Sequence, residues 1–281
     1  MKCLSPLIVG CLIAVSYGQQ TASVPIIVAA AEPSSPSLQA SDLKVEVNHQ
    51  PTTVVSLTSI AGEHLQYVLI NDRRVRTQWP GGTEQQVNVA AKFLKQVIVA
   101  GADIGTLVNS GDHVLLDVQN ETDPAKLASK LDRTGLFAPL YDAIVASTQV
   151  LMKQPTSPDH RKVIFLFCDG TDNKSQVDLD YAIRALQKAS VPIFIFAPSQ
   201  VERGKKGEQL RQIADQAGGR TYFLPPDTRH LAFDDLKRDL AQSFQLTVSI
   251  PSSKGMLPLM ITDVGNPKAS IVAASQILGP Q

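Results

Sequence analysis

The sequence predicts an α/β fold: a doubly wound, mostly parallel sheet flanked by helices, with a small β subdomain from the N- and C-terminal segments. Three observations carry this. KVIFLFC (162–168) and VPIFIFA (191–197) are continuous apolar runs, as strands covered on both faces require. Strand-like and helix-like segments alternate from residue 64 to 244. Outside that span only strand-like pieces occur, at 42–58 and 245–279, too short to bury themselves alone.

The first segment, residues 1–18, reads as a signal peptide. Lys2 precedes an apolar run from Leu7 to Val15, and Ser16 and Gly18 stand at the −3 and −1 positions of a cut before Gln19. That run falls well short of the ~20 residues a membrane span needs. Ile8-Val9-Gly10-Cys11 offers a lesser alternative, a lipoprotein anchored through Cys11. Either way the chain is expected to be exported, to the periplasm or beyond the cell. With Cys3 and Cys11 in the signal, Cys168 is left without a disulfide partner and reads as a small buried hydrophobe.

Residues 19–41, rich in Ala, Ser and Pro and poor in charge, read as a linker. In 42–63, Leu43, Val45 and Val47 alternate with polar residues. A turn at His49-Gln50-Pro51 and a second strand at 53–56 complete an expected β-hairpin. The α/β domain proper, 64–244, starts with the strand Tyr67–Ile70. Thr83 with Gln86 has the spacing of a capping box, and Val87, Ala90, Ala91, Leu94, Val97 and Ile98 line one helical face. Next come a strand at 112–118, a short helix opened by Asp123-Pro124, and a helix at 140–152. After the 162–168 strand the pattern gives a helix at 179–189, the 191–197 strand, and a helix at 208–217 stopped by Gly218-Gly219. A strand at 221–224 and a helix at 233–244 close the domain. Residues 245–281 form the C-terminal β extension.

The charge balance excludes some functions. The 281 residues carry 26 basic and 26 acidic side chains, so no long-range field favours nucleic acid. No Gly-x-Ser-x-Gly elbow, Walker loop or His-Glu-x-x-His occurs. The five histidines are scattered, and Arg203-Gly204-Lys205-Lys206 reads as a solvated basic loop.

In open α/β sheets ligands bind beyond the carboxyl ends of the strands. Those ends carry Asn71-Asp72, Gln119-Asn120, Cys168-Asp169-Gly170 and Pro198-Ser199. Asp169 follows its strand directly and is expected to face the crevice. Asp172, Asn173, Asp178 and Asp180 read mainly as a turn and a helix start.

With TGLFAPLYDAI (134–144), KVIFLFCDGTDN (162–173), VPIFIFA and ADQAGGRTYF (214–223) in this order, the chain resembles a von Willebrand factor type A (VWA) domain. In particular it resembles the exported acidobacterial branch of that family. The resemblance spans about residues 42–275 and implies a protein–protein interaction or adhesion module, not an enzyme. It also implies a divalent-cation site: Asp-x-Ser-x-Ser after the first strand, a Thr before the fourth helix and an Asp after the fourth strand. One coordination position is left for an acidic group of the partner.

Here the match fails at most positions. With Asn71 as the first position, Arg73 and Val75 stand where the serines belong. With Asp72 first, Arg74 and Arg76 do. The Thr position is Ala138, and only Asp169 matches. The expectation is therefore a lost cation site and no cofactor, with an arginine paired to Asp169 or Asp72. The alternative is Mg2+ or Ca2+ held by Asp72 and Asp169 in an atypical shell. A third reading, an exported enzyme using the crevice, lacks a visible nucleophile and base. The expected partner is another protein, contacted by Asn71, Asp72, Arg73, Arg74, Arg76, Trp79, Ala138, Asp169, Thr171 and Asp172. Trp79 is either a rim anchor or a lid over the sheet.

Overall fold

The computed structural model describes residues 20–29, 38–74, 76–131, 134–155, 157, 159–225, 232–265 and 270–280. Residues 1–18, read as a signal, lie outside them. In chain order the elements begin with β1 (Thr21–Ala29), β2 (Leu43–Val47), β3 (Gln50–Pro51), β4 (Val54–Ser59), β5 (His64–Asp72) and α1 (Gly82–Gln96). Next are β6 (Ile104–Ser110), β7 (Val114–Glu121), α2 (Pro124–Ser129), α3 (Leu140–Lys153), β8 (His160–Phe167) and α4 (Leu179–Ala189). The rest are β9 (Ile193–Pro198), α5 (Lys205–Gln216), β10 (Arg220–Leu224), α6 (Phe233–Ala241), β11 (Ser243–Ser249), β12 (Met256–Asp263), β13 (Ser270–Ala273) and β14 (Gln276–Leu278).

The central sheet has the order β10-β9-β8-β5-β6-β7, and every neighbouring pair is parallel except β6 with β7. The alternation of side chains along each strand explains the continuous apolar runs. Val68, Ile70, Ile164 and Leu166 face Leu140 and Ile144 of α3, Ile183 and Leu186 of α4, and Leu210 and Ile213 of α5. Their neighbours Tyr67, Leu69, Phe165 and Phe167 face Phe93 and Leu94 of α1, Leu127 of α2 and Leu236 of α6. The stretches of β8 and β9 buried on both faces leave no polar alternate positions, as the sequence predicts. The second face is aromatic: Phe167 stacks on Phe196 at 4.8 Å, and Phe93 lies 4.6 Å from Phe165.

Two further four-stranded sheets, β13-β1-β11-β4 and β14-β12-β2-β3, stack against each other. Val24, Ile26, Leu246 and Val248 from one meet Val45, Val47, Leu257 and Leu259 from the other. The N- and C-terminal strand pieces therefore pair with each other, β2 with β12 and β4 with β11, instead of extending the central sheet.

Four expectations are corrected. The segment read as a linker, 19–41, contains β1, whose Val24, Ile26 and Ile27 are buried between β11 and β13. Ala and Ser flanks hid a VPIIV strand core. The hairpin of 42–63 closes on β3, not on the second predicted strand, through Asn48 and His49 at φ of 53° and 61°. That second strand, β4, crosses to the other sheet and pairs with β11. The strand β6, whose Gly, Thr, Asn and Ser dilute an apolar Leu-Val centre, was not predicted and lies beside β5. Finally, α1 starts after Gly81 with no side-chain cap, so Thr83 and Gln86 do not form a capping box.

Candidate functional site

The strands β5 and β8 are neighbours from which the chain winds outward in both directions, so the gap beyond their carboxyl ends is the switch point of the sheet. Asp72 ends β5, and Asp169 follows β8 by two residues. Gly170, at φ +73°, turns the chain away immediately afterwards. A Cβ there would stand 3.1 Å from Lys206 Cβ, so glycine lets α5 approach.

Asp169 is fully buried, and its carboxylate is completely engaged. The Arg74 guanidinium makes an ion pair with Oδ2. The Gln78 amide donates to the same oxygen at 2.7 Å, and the Thr171 amide donates to Oδ1 at 3.0 Å. Burial alone would push this carboxyl up; Arg74, the Thr171 and Gln78 donors and Lys206 outweigh it and hold it below the ordinary carboxylate range. The same Arg74 Nη2 donates to Thr171 Oγ1 at 2.9 Å, and Lys206 Nζ donates to that oxygen at 2.5 Å. Two cationic groups thus converge on the lip where the sequence placed a crevice. Lys206 belongs to the stretch read as a solvated basic loop, and its reach to Thr171 was not foreseen.

Asp72 is buried as well, at 1% exposure, but is served differently. Its Oδ1 accepts the Arg74 amide at 3.1 Å, while Oδ2 has no hydrogen-bond partner. Burial first, then the charge of Asp169, pushes its pKa up to about 7. The two carboxylates behave as unequal members of one cluster: Asp169 ionised on Arg74, Asp72 close to half-protonated near neutrality.

The other two arginines part company with Arg74. Arg73 is buried, its backbone N–H bonds the Ser110 carbonyl at 2.8 Å, and its side chain lies across Gly111, where a Cβ would collide with its Nε, and close to Gly135, where one would stand 3.2 Å from its Cγ. Arg76 is exposed. Of the three, Arg74 is the one that holds Asp169.

The loop carrying Arg74 is braced from α1. Thr83 Oγ1 donates to the Arg74 carbonyl at 2.8 Å. The buried Gln86 amide reaches Asn71 Oδ1 at 3.3 Å, the Asp72 carbonyl, and the Phe167 carbonyl at 3.1 Å, tying together the ends of β5 and β8. Asn71 Nδ2 donates in turn to Asn109 Oδ1 at 2.8 Å. The Thr83–Gln86 pair, taken from sequence as a helix cap, is the scaffold of this loop.

Three expected contact residues have structural roles instead. Trp79 is 3% exposed and sits in the aromatic core, so it is the lid and not the rim anchor. Ala138 is fully buried, its amide bonded to Asn173 Oδ1 at 2.8 Å. Asp172 Oδ1 accepts the Leu140 amide at 2.8 Å, and Ser175 Oγ accepts that of Tyr141 at 3.0 Å, so this turn caps α3 from outside the helix. Asp178 likewise caps α4 through the Tyr181 amide at 2.7 Å. Around the lip, Leu136 is 71% and Phe137 39% exposed, with Lys174 Nζ 4.5 Å above the Phe137 ring.

A hard cation at this point would meet two carboxylates, one already on a guanidinium, and the Thr171 hydroxyl, already accepting from two cationic donors. Among the described residues no group of three or more His, Cys, Asp or Glu converges to hold a metal ion. Cys168 is buried, and burial pushes its thiol well up, away from nucleophilic use.

A family profile for the von Willebrand factor type A domain matches residues 81–236, more than half of the chain. The match starts after the arginine loop. Among solved structures, the von Willebrand factor type A protein from Catenulispora acidiphila aligns with a TM-score of 0.50 at 13% identity, covering 93% of this chain and 73% of that one. Proximal thread matrix protein 1 from the mussel byssus, with a zinc-occupied MIDAS motif, aligns with a TM-score of 0.51 at 14% identity, covering 68% of this chain and 48% of that one. This chain thus spans about half the length of the mussel protein. Identities this low speak for the fold alone. Among curated proteins, none matches significantly. VWA domains are in general protein–protein interaction modules. On the profile match and the shared architecture, the chain belongs to the von Willebrand factor type A domain family.

Proposed function

We propose that this chain is an exported, non-catalytic VWA interaction domain that works without a divalent cation. The observation that carries the reading is the Arg74–Asp169 ion pair. The mussel protein holds zinc at its MIDAS motif; here a guanidinium engages the one carboxylate that matches the family's pattern. A bound cation would have to displace Arg74 and then sit beside Lys206, against Coulomb repulsion and the loss of charge-assisted hydrogen bonds. The Arg74 side chain is 11% exposed, so it acts as a plug more than a grip. A partner protein then meets the rim: Arg76, Leu136, Phe137 and Lys174. Export rests on the signal-like residues 1–18.

One observation favours a cation-dependent reading with Mg2+ or Ca2+ on Asp72 and Asp169: the unpartnered Asp72 Oδ2. Calorimetric titration of the purified chain with Mg2+, Mn2+ and Ca2+ separates the two. Heats of dilution alone are expected. Saturable binding that disappears in Asp169→Ala would sink the proposal.

A further inference from the structure

At the opposite end of the central sheet, below the amino ends of β8 and β9, a cleft of about 450 Å3 separates the central sheet from the face of β1, β4 and β11. That volume falls in the range of small-molecule sites, roughly 300–1,000 Å3. Its inner walls are apolar, from Ile27, Val163, Phe194 and Leu240, and the exposed Thr58 stands at its mouth.

One charge in this cleft is poorly served. Arg161 Nη1 donates to the Leu240 carbonyl at 3.0 Å, near the end of α6, where the helix dipole welcomes a cation. Its Nε is buried without a hydrogen-bond partner. A guanidinium has five N–H donors, and the helix end uses one. Glu63 and Asp103 act on Arg161 through space, while burial works against its charge. Lys162, beside it, is committed to the Gln154 carbonyl at 2.8 Å. A desolvated cation in an apolar-walled cleft is what an anion with a hydrocarbon body complements. Glu63 also lines the cleft without forming an ion pair with Arg161, so a second negative charge on that ligand would be repelled and the fit is to a monoanion.

We propose that this cleft is a binding site for a small amphipathic carboxylate, with its head on Arg161 and its apolar chain along Ile27, Val163, Phe194 and Leu240. The site is independent of the Arg74–Asp169 end of the sheet.

The probe is octanoate, titrated calorimetrically into the purified full chain, with octanol and acetate in parallel. Octanoate is expected to saturate a single site, while octanol, which lacks the charge, and acetate, which lacks the chain, bind weaker by roughly tenfold or more. Arg161→Gln should weaken octanoate by a similar factor, roughly tenfold, and Arg161→Lys should recover part of the loss. Thr58→Trp, at an exposed strand position, should block the mouth with an unchanged melting temperature; it carries the test if Arg161→Gln does not fold. The proposal is overturned if octanoate gives no saturable heat. It is equally overturned if folded Arg161→Gln or folded Thr58→Trp binds octanoate like the parent, or if acetate or octanol binds as tightly.

Discussion

Arg74 and Arg161 lie at the two ends of the same central sheet, and both are largely covered. Arg74 has a buried carboxylate, Asp169, and a hydroxyl, Thr171. Arg161 has a single backbone carbonyl and carboxylates only at longer range. The upper end is therefore a completed electrostatic unit, and the lower end is an open one. The same residue type, partly covered in both places, can close a site or make one. What decides is whether the chain supplies the counter-charge.

The comparison breaks most sharply under substitution. Arg74→Met leaves Asp169 buried and unpaired and is expected to cost about 3–5 kcal/mol in denaturant unfolding, whereas a cost below about 1 kcal/mol would mean that the pair is not a unit. The next effect is on pH dependence. Folded Asp72 keeps its proton up to about 7, while the unfolded chain releases it near the ordinary 3.8. Its contribution is fully present below 3.8 and is lost as pH rises through about 7, with a limiting slope of about 1.4 kcal/mol per pH unit between the two. Asp169, held low, has the opposite sign: its contribution stands at neutral pH and is lost on acidification. Asp72→Asn should therefore flatten the decline between pH 4 and 7 and leave the acid limb intact. A parent profile that rises through that window would contradict this.

Smaller effects sharpen the picture. Gln86→Leu removes a donor from Asn71 Oδ1 and from the Asp72 and Phe167 carbonyls, and should cost about 2–3 kcal/mol with a loosened arginine loop, read by amide hydrogen exchange at 73–78. Thr83→Ala removes one bond to the Arg74 carbonyl, about 1 kcal/mol. Arg161→Met removes one bond to the end of α6 and a charge with no close partner, and should stay within about 1 kcal/mol of the parent. If Arg161→Met proved as costly as Arg74→Met, the contrast between the two ends would collapse.

The central fold was readable from sequence because its signals are local. Runs such as KVIFLFC state their burial on both faces without reference to anything distant. The accessory sheets were harder. In TASVPIIVA the polar flanks resemble a linker, and only strands more than 200 residues away, such as β11, make it a strand. From sequence an arginine of the loop was expected to pair with Asp169 or Asp72, and a carboxylate–arginine pair is present. Which arginine pairs depended on packing: Gly111 and Gly135 make room for Arg73, and Thr83 turns the Arg74 carbonyl. A capping-box spacing cannot announce that one of its side chains will reach the Arg74 carbonyl in the loop and the other the ends of β5 and β8. Lys206 and the Arg161 cleft rest on contacts between elements far apart in the chain, which a single sequence does not pair.

The central claim is that a guanidinium takes the place of a cation on Asp169. The most direct measurement is the carboxyl 13C NMR titration of Asp169 in the parent chain and in Arg74→Lys, with and without millimolar Mg2+. The account predicts a parent pKa below the ordinary carboxylate range that Mg2+ does not move, and a higher value in Arg74→Lys, whose shorter side chain and compact, strongly hydrated ammonium do not reproduce the placement of the guanidinium on Asp169. A parent Asp169 that titrates in the ordinary range, or a resonance that shifts saturably with Mg2+, would contradict it.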